Sequence, residues 1–75
     1  MTDEDFQKLV EAELALTDLY LKTEARKPIH AFVLHLRSLL RKTEDRFHGH
    51  PMFPKLLEVQ QLIQNKEEAL KAAQS

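Results

Sequence analysis

The sequence predicts an all-α protein, either a helical hairpin or a small three-helix bundle, built as a single domain over residues 1–75. Its composition is typical of helical chains, with one Gly and three Pro among 75 residues, 43% hydrophobic and 31% charged. Apolar residues recur at helical spacing, and proline interrupts that pattern twice. We therefore expect helices over about residues 3–23, 28–47 and 54–73.

The first helix should begin at Thr2, whose hydroxyl can cap free backbone amides. Acidic residues at positions 3–5 then lie at the positive end of the helix dipole, where they are favourable. Pro28 cannot lie inside a helix, and the apolar pattern changes phase near it. Residues 24–28 are therefore expected to form a turn or a sharp kink, and the sequence leaves both open.

The second helix carries the strongest amphipathic pattern, with its apolar side chains in one arc of about 120°. Gly49 is expected to adopt a left-handed conformation after this helix, and Pro51 cannot continue it. Pro54 suits the first turn of the third helix, so the second and third helices should lie antiparallel. The apolar face of the second helix comprises Ile29, Phe32, Val33, Leu36, Leu39, Leu40 and Phe47.

A chain of 75 residues has a thin core, and without cysteine it cannot be stabilised by disulfides. Oligomerisation is one remaining source of stability. No apolar run approaches the roughly 18 residues of a membrane span, and residues 1–5 are acidic where a signal peptide is basic. We therefore expect a cytoplasmic protein without a membrane partner.

Charge is unevenly distributed although the net charge is only −1. Residues 1–20 carry −5, residues 21–55 carry +5 and residues 56–75 carry −1. One interpretation is that an acidic first helix packs beside a basic second helix and neutralises it. The other is that the acidic and basic faces are both offered to partners.

The first helix is apolar over about 220° of its circumference, more than one neighbouring helix can cover. One half carries Leu9, Ala12, Leu16, Leu19 and Tyr20, and Glu13 lies at the boundary between the halves. Either this helix sits centrally between the other two, or one half faces a second chain. We predict that the other half is the partner-binding face, formed by Phe6, Val10, Leu14, Thr17 and Leu21.

No set of residues predicts catalysis, a cofactor or a metal site. His35 and Ser38 lie three apart, but no acid is placed to orient the histidine as in a hydrolytic triad. His48 and His50 supply two imidazoles where a structural zinc site uses four ligands. Carboxylates such as those of residues 13 and 67 are expected to be solvated, and the protein is not expected to be an enzyme.

A basic face is predicted on the second helix, with side chains that could follow a phosphate backbone. Glu44 and Asp45 interrupt it, and no aromatic residue for base stacking lies among its cations. A solvated face is therefore favoured over nucleic-acid binding. The face comprises Lys27, His30, Arg37 and Arg41.

These features predict a non-enzymatic protein–protein interaction module, an adaptor or regulatory subunit that dimerises or captures a partner helix. In size, acidity and helical-hairpin layout the chain resembles the small co-chaperones that hold needle subunits of type III secretion systems. That resemblance implies a chaperone function but transfers no residue roles, because no motif is shared. An inhibitor of a larger protein is a further alternative, and a nucleic-acid regulator is less favoured.

Overall fold

The computed structural model describes residues 1–74, which form three helices packed around one core. These helices are α1 (Asp3–Leu21), α2 (Arg26–Phe47) and α3 (Phe53–Gln74). The bundle is elongated, measuring 42 × 20 × 16 Å. Helix α3 packs against both other helices, whereas contact between α1 and α2 is the least extensive. The predicted all-α fold is confirmed as a small three-helix bundle.

The start of α1 is closed by a capping box, which confirms Thr2 as the predicted cap. The Asp5 amide donates to Thr2 Oγ1 at 3.1 Å, and the Thr2 amide donates to Asp5 Oδ2 at 3.3 Å. Arg46, near the end of α2, donates to the Met1 carbonyl oxygen at 3.1 Å. The N-terminus of the chain is therefore held against the end of α2.

The connection between α1 and α2 is a turn and not a kink within one long helix. Helix α1 ends at Leu21, two residues before the predicted boundary, and α2 begins at Arg26. Pro28 thus occupies the first turn of α2, where backbone amides have no partner within the helix. The missing N–H of proline costs α2 nothing at this position.

The connection between α2 and α3 is closed without a left-handed residue, which corrects the expectation for Gly49. The backbone torsion φ of Gly49 is not positive. Instead, His50 donates from its amide to the Phe47 carbonyl at 2.8 Å, and its Nδ1 accepts from the Met52 amide at 3.0 Å. The hydrogen bonds of His50 therefore close the connection that the left-handed glycine was expected to close.

Three phenylalanines, one from each helix, meet at one end of the bundle. The ring of Phe6 stacks on that of Phe47 with 4.4 Å between centroids and lies 6.4 Å from that of Phe53. We call these three residues the phenylalanine cluster. At the other end, the rings of Tyr20 and Phe32 stack at 4.4 Å. The other buried apolar side chains are Val10, Ile29, Val33, Leu36, Leu56, Val59, Ile63 and Leu70.

The phase of α2 can be tested with two leucines one half-turn apart. Leu36 is fully buried, whereas Leu34 is 49% exposed. Leu36→Ala should lower the free energy of unfolding by about 2–5 kcal/mol, because it removes buried methyl groups and leaves a cavity. Leu34→Ala should change it by less than about 1 kcal/mol. Urea denaturation followed by circular dichroism measures both, and equal losses would contradict the observed packing.

Candidate interaction surface

The structure turns the predicted partner-binding half of α1 toward the core of its own chain. Phe6 and Val10 are fully buried in the core of their own chain, and Thr17 is 2% exposed. Leu14 and Leu21 are partly buried and pack against the core. The five residues predicted to bind a partner therefore cover this chain's own core, and the prediction is corrected for this reason.

Polar partners explain why this half of α1 can face inward. The Thr17 hydroxyl donates to the Glu13 carbonyl oxygen at 2.7 Å, so its polar atom is satisfied within the helix. The Glu13 carboxylate bonds His35 Nε2 on α2 at 2.9 Å. Glu13 and Thr17 can therefore be buried although both carry polar side chains.

The other half of α1 leaves an apolar strip partly uncovered, which we call the outer stripe. Leu16 is 41% exposed and Leu19 64% exposed, while Ala12 is exposed and Leu9 half-buried. The outer stripe consists of these four residues. It leads into a shallow groove of about 260 Å³ lined by Leu16, Leu19, Tyr20, Thr23 and Pro28. Sparse contact between α1 and α2 leaves this side of the bundle open.

Charges at the two ends of α1 differ in sign. Its first turn carries three acids, Asp3, Glu4 and Asp5, whereas Lys22 is the residue that caps its end. Lys8, which is 71% exposed, lies 3.6 Å from Glu4. The outer stripe therefore runs from an acidic first turn to a single cation, Lys22, at the end of α1.

A second apolar depression lies on the other flank of α1, against α3. Its volume is about 220 Å³, and Leu62, 44% exposed, forms part of its wall. Leu14 and Leu21 line it together with Asp18 and Lys55. Three charged residues interrupt it, whereas none lines the groove beside the outer stripe.

The predicted basic face lies on one side of α2, and its four residues are all exposed. His30 Nδ1 bonds Glu67 Oε2 on α3 at 2.5 Å. The side chains of Lys27, Arg37 and Arg41 form no hydrogen bond or ion pair with any of residues 1–74. Three cations of this face are therefore available to a ligand.

Two histidine–glutamate pairs join the helices, and sequence reasoning did not find either. Glu13 and Glu67 are each only 7% exposed, so the expectation that they are solvated is wrong. Glu13 bonds His35 and links α1 to α2, and Glu67 bonds His30 and links α3 to α2. The partners are 22 and 37 positions apart, so no local pattern signals them.

Within residues 1–74, no three His, Cys, Asp or Glu side chains converge as metal ligands do. His48 is exposed, whereas the ring of His50 accepts a hydrogen bond from the Met52 amide within the turn between α2 and α3. No helix in the same range is long and apolar enough to cross a membrane.

No protein-family model, curated protein or solved structure matches this chain. Its surfaces are therefore interpreted from their own geometry and chemistry.

The buried Glu13 gives a testable contrast in stability. Glu13 Oε2 has no hydrogen-bond partner in the described structure. His35→Ala should lower the free energy of unfolding by about 1–2 kcal/mol, because it leaves the whole carboxylate buried without a partner. Glu13→Leu should be neutral or stabilising, since it replaces the buried carboxylate with an apolar side chain of similar volume. Chemical denaturation measures both, and a Glu13→Leu variant less stable than His35→Ala would contradict this assignment.

Proposed function

We propose that this protein is a non-enzymatic protein–protein interaction module that self-associates through the outer stripe of α1. The observation that carries this proposal is the exposure of Leu16 and Leu19, by 41% and 64%, beside a core that is closed without them. Exposed leucines in a continuous strip are typical of surfaces that bind other proteins.

The spacing of the outer stripe supports a helix as its occupant. Leu9, Ala12, Leu16 and Leu19 are separated by three, four and three positions, the pattern of the apolar seam of a coiled coil. Helix α1, with 19 residues, is about 28 Å long. A second helix can therefore lie along α1 over most of its length.

A second copy of this chain fits the stripe when the two α1 helices run antiparallel. Centred between Ala12 and Leu16, such a pair sets Leu9 of each copy against Leu19 of the other. It also sets the small Ala12 against the large Leu16, so the side chains alternate in size across the seam. The contact uses one patch on both copies, as a symmetric dimer requires.

Charge supports the same orientation. An antiparallel pair brings the acidic first turn of one α1 next to Lys22 of the other copy. The helix dipoles are then also opposed, which is the favourable arrangement. A parallel pair would instead place the two acidic turns side by side.

The strength expected of this contact is modest. Leu16 and Leu19 are already partly covered, so burying the rest of them in both copies gains roughly 3–6 kcal/mol. Association also has an entropic cost. The stripe therefore favours a weak dimer, populated at high micromolar concentration or above.

Charge insertion in the outer stripe tests the self-association directly. Leu16→Glu and Leu19→Glu should each abolish the dimer, because a carboxylate would be buried in the seam. The helical circular dichroism signal should remain, since both leucines are exposed in the monomer and do not contribute to its core. Leu57→Glu, on α3, is the matched control because Leu57 is 48% exposed. Analytical ultracentrifugation across a concentration series measures the effect. A parent chain that stays monomeric into the millimolar range overturns the proposal.

Charge exchange tests the antiparallel orientation. Glu4→Lys and Lys22→Glu should each weaken the dimer by repulsion, and the double variant should recover it, because each ion pair is restored with opposite polarity. The control exchanges Lys55 and Glu58, a pair within α3 at 3.9 Å. That exchange should leave the dimer unchanged. No recovery in the double variant would contradict the antiparallel pair while leaving the outer stripe in place.

A further inference from the structure

We propose that the groove between α2 and α3 is a second binding site, which takes an acidic, leucine-bearing helical segment of a partner protein. The groove has a volume of about 630 Å³ and is lined by residues of α2 and α3, none of which belongs to the outer stripe. It is lined by Arg26, Lys27, His30, Ala31, Leu34, Glu67 and Lys71.

The cations at the mouth of this groove oppose the stability of α2. Arg26 and Lys27 lie in the first turn of α2, which contains no acid, and Ala25 provides no side-chain cap. Positive charge at the positive end of a helix dipole is unfavourable. Helix α1 shows the opposite arrangement, with a capping box and three acids. A carboxylate brought to the start of α2 would be attracted by the dipole and by both cations.

These cations are free to pair with a ligand. The side chains of Arg26 and Lys27 form no hydrogen bond or ion pair with residues 1–74, and the same holds for the side chains of Arg37 and Arg41 farther along α2. His30 differs, because its ring is bonded to the buried Glu67. The groove therefore offers unpaired cations, and two polar side chains of its wall, His30 and Glu67, are already bonded to each other.

Apolar surface in the groove determines the class of ligand. Leu34 is 49% exposed, and Ala31 beside it is also exposed. Lys27, Leu34 and Arg41 are seven positions apart, so they lie along one side of α2 as cation, apolar residue and cation. The complement is a helix with acid, leucine and acid at the same interval.

A nucleic acid fits this groove less well. No Phe, Tyr or Trp side chain lines it for base stacking. A phosphate backbone would also gain nothing from the exposed leucine. A protein segment uses both the charge and the apolar surface.

Fluorescence anisotropy with synthetic probes tests the ligand class. The probe is a labelled peptide of about 15 Glu, Leu and Ala residues, long enough to form a helix on binding. A peptide with Lys in place of Glu and an oligothymidylate are measured in parallel. The acidic peptide should bind best, with affinity that falls as salt rises. Equal binding of the lysine peptide, or tighter binding of the oligothymidylate, overturns the proposal.

Matched variants separate the site from general charge attraction. Lys27→Glu should weaken peptide binding by about tenfold or more. It should also raise the melting temperature, because it places an acid at the start of α2. Loss of binding therefore cannot be ascribed to unfolding. Lys55→Glu makes the same change in the first turn of α3, outside the groove, and should leave binding intact. Equal losses in both variants overturn the assignment.

The apolar contact has its own pair of variants. Leu34→Ser should weaken binding of the acidic peptide, whereas Leu57→Ser, at a leucine of almost equal exposure (48% against 49%), should not. The same measurement on Leu16→Glu shows whether the groove acts independently of the outer stripe. Retained binding in that variant is the expected result, and unchanged binding in Leu34→Ser overturns the leucine-bearing ligand.

Discussion

The phenylalanine cluster determines how α1 is rotated in the bundle. Phe6 stacks on Phe47 with ring planes only 4° apart, and this contact fixes the phase of α1 at its first turn. Residues that follow Phe6 on the same face, at steps of three or four positions, must then also point inward. Val10, Glu13 and Thr17 follow Phe6 at those intervals, and all three are buried. Burial of a glutamate in α1 is thus a consequence of anchoring its first turn with an aromatic ring.

Two further features follow from this fixed phase. A buried Glu13 needs a partner, and His35 on α2 supplies it at 2.9 Å while remaining half exposed itself. Turning Phe6 and Val10 inward also turns the opposite leucines outward, because α1 is apolar around more than half of its circumference. The exposure of Leu16 and Leu19 is therefore linked to the same stacking contact that closes the core. Helix α1 cannot bury both of its apolar halves within a three-helix chain of this size.

Sequence patterns were sufficient for features that depend on neighbouring residues along the chain. The Thr2 cap, the break before Pro28 and the inward face of α2 all depend on local spacing or backbone chemistry, and the structure confirms them. The orientation of α1 was not predictable in this way, since its two apolar halves are nearly equivalent on a helical wheel. The choice between them is made by Phe47 and His35, whose proximity to α1 exists only in the folded chain. The same limit applies to Glu67, whose partner His30 is 37 positions away.

The packing of the helices bears on the uneven distribution of charge between residues 1–20 and residues 21–55. If the acidic first helix neutralised the basic second one, ion pairs would join them, but no Lys or Arg of residues 21–55 lies within ion-pair distance of an acid of residues 1–20. Contact between α1 and α2 is sparse, and Lys27, Arg37 and Arg41 are all exposed on α2. Arg26 and Lys27 even oppose the dipole of their own helix. Positive charge that neither a neighbouring helix nor the helix dipole stabilises is the kind of charge that an external acidic partner can use.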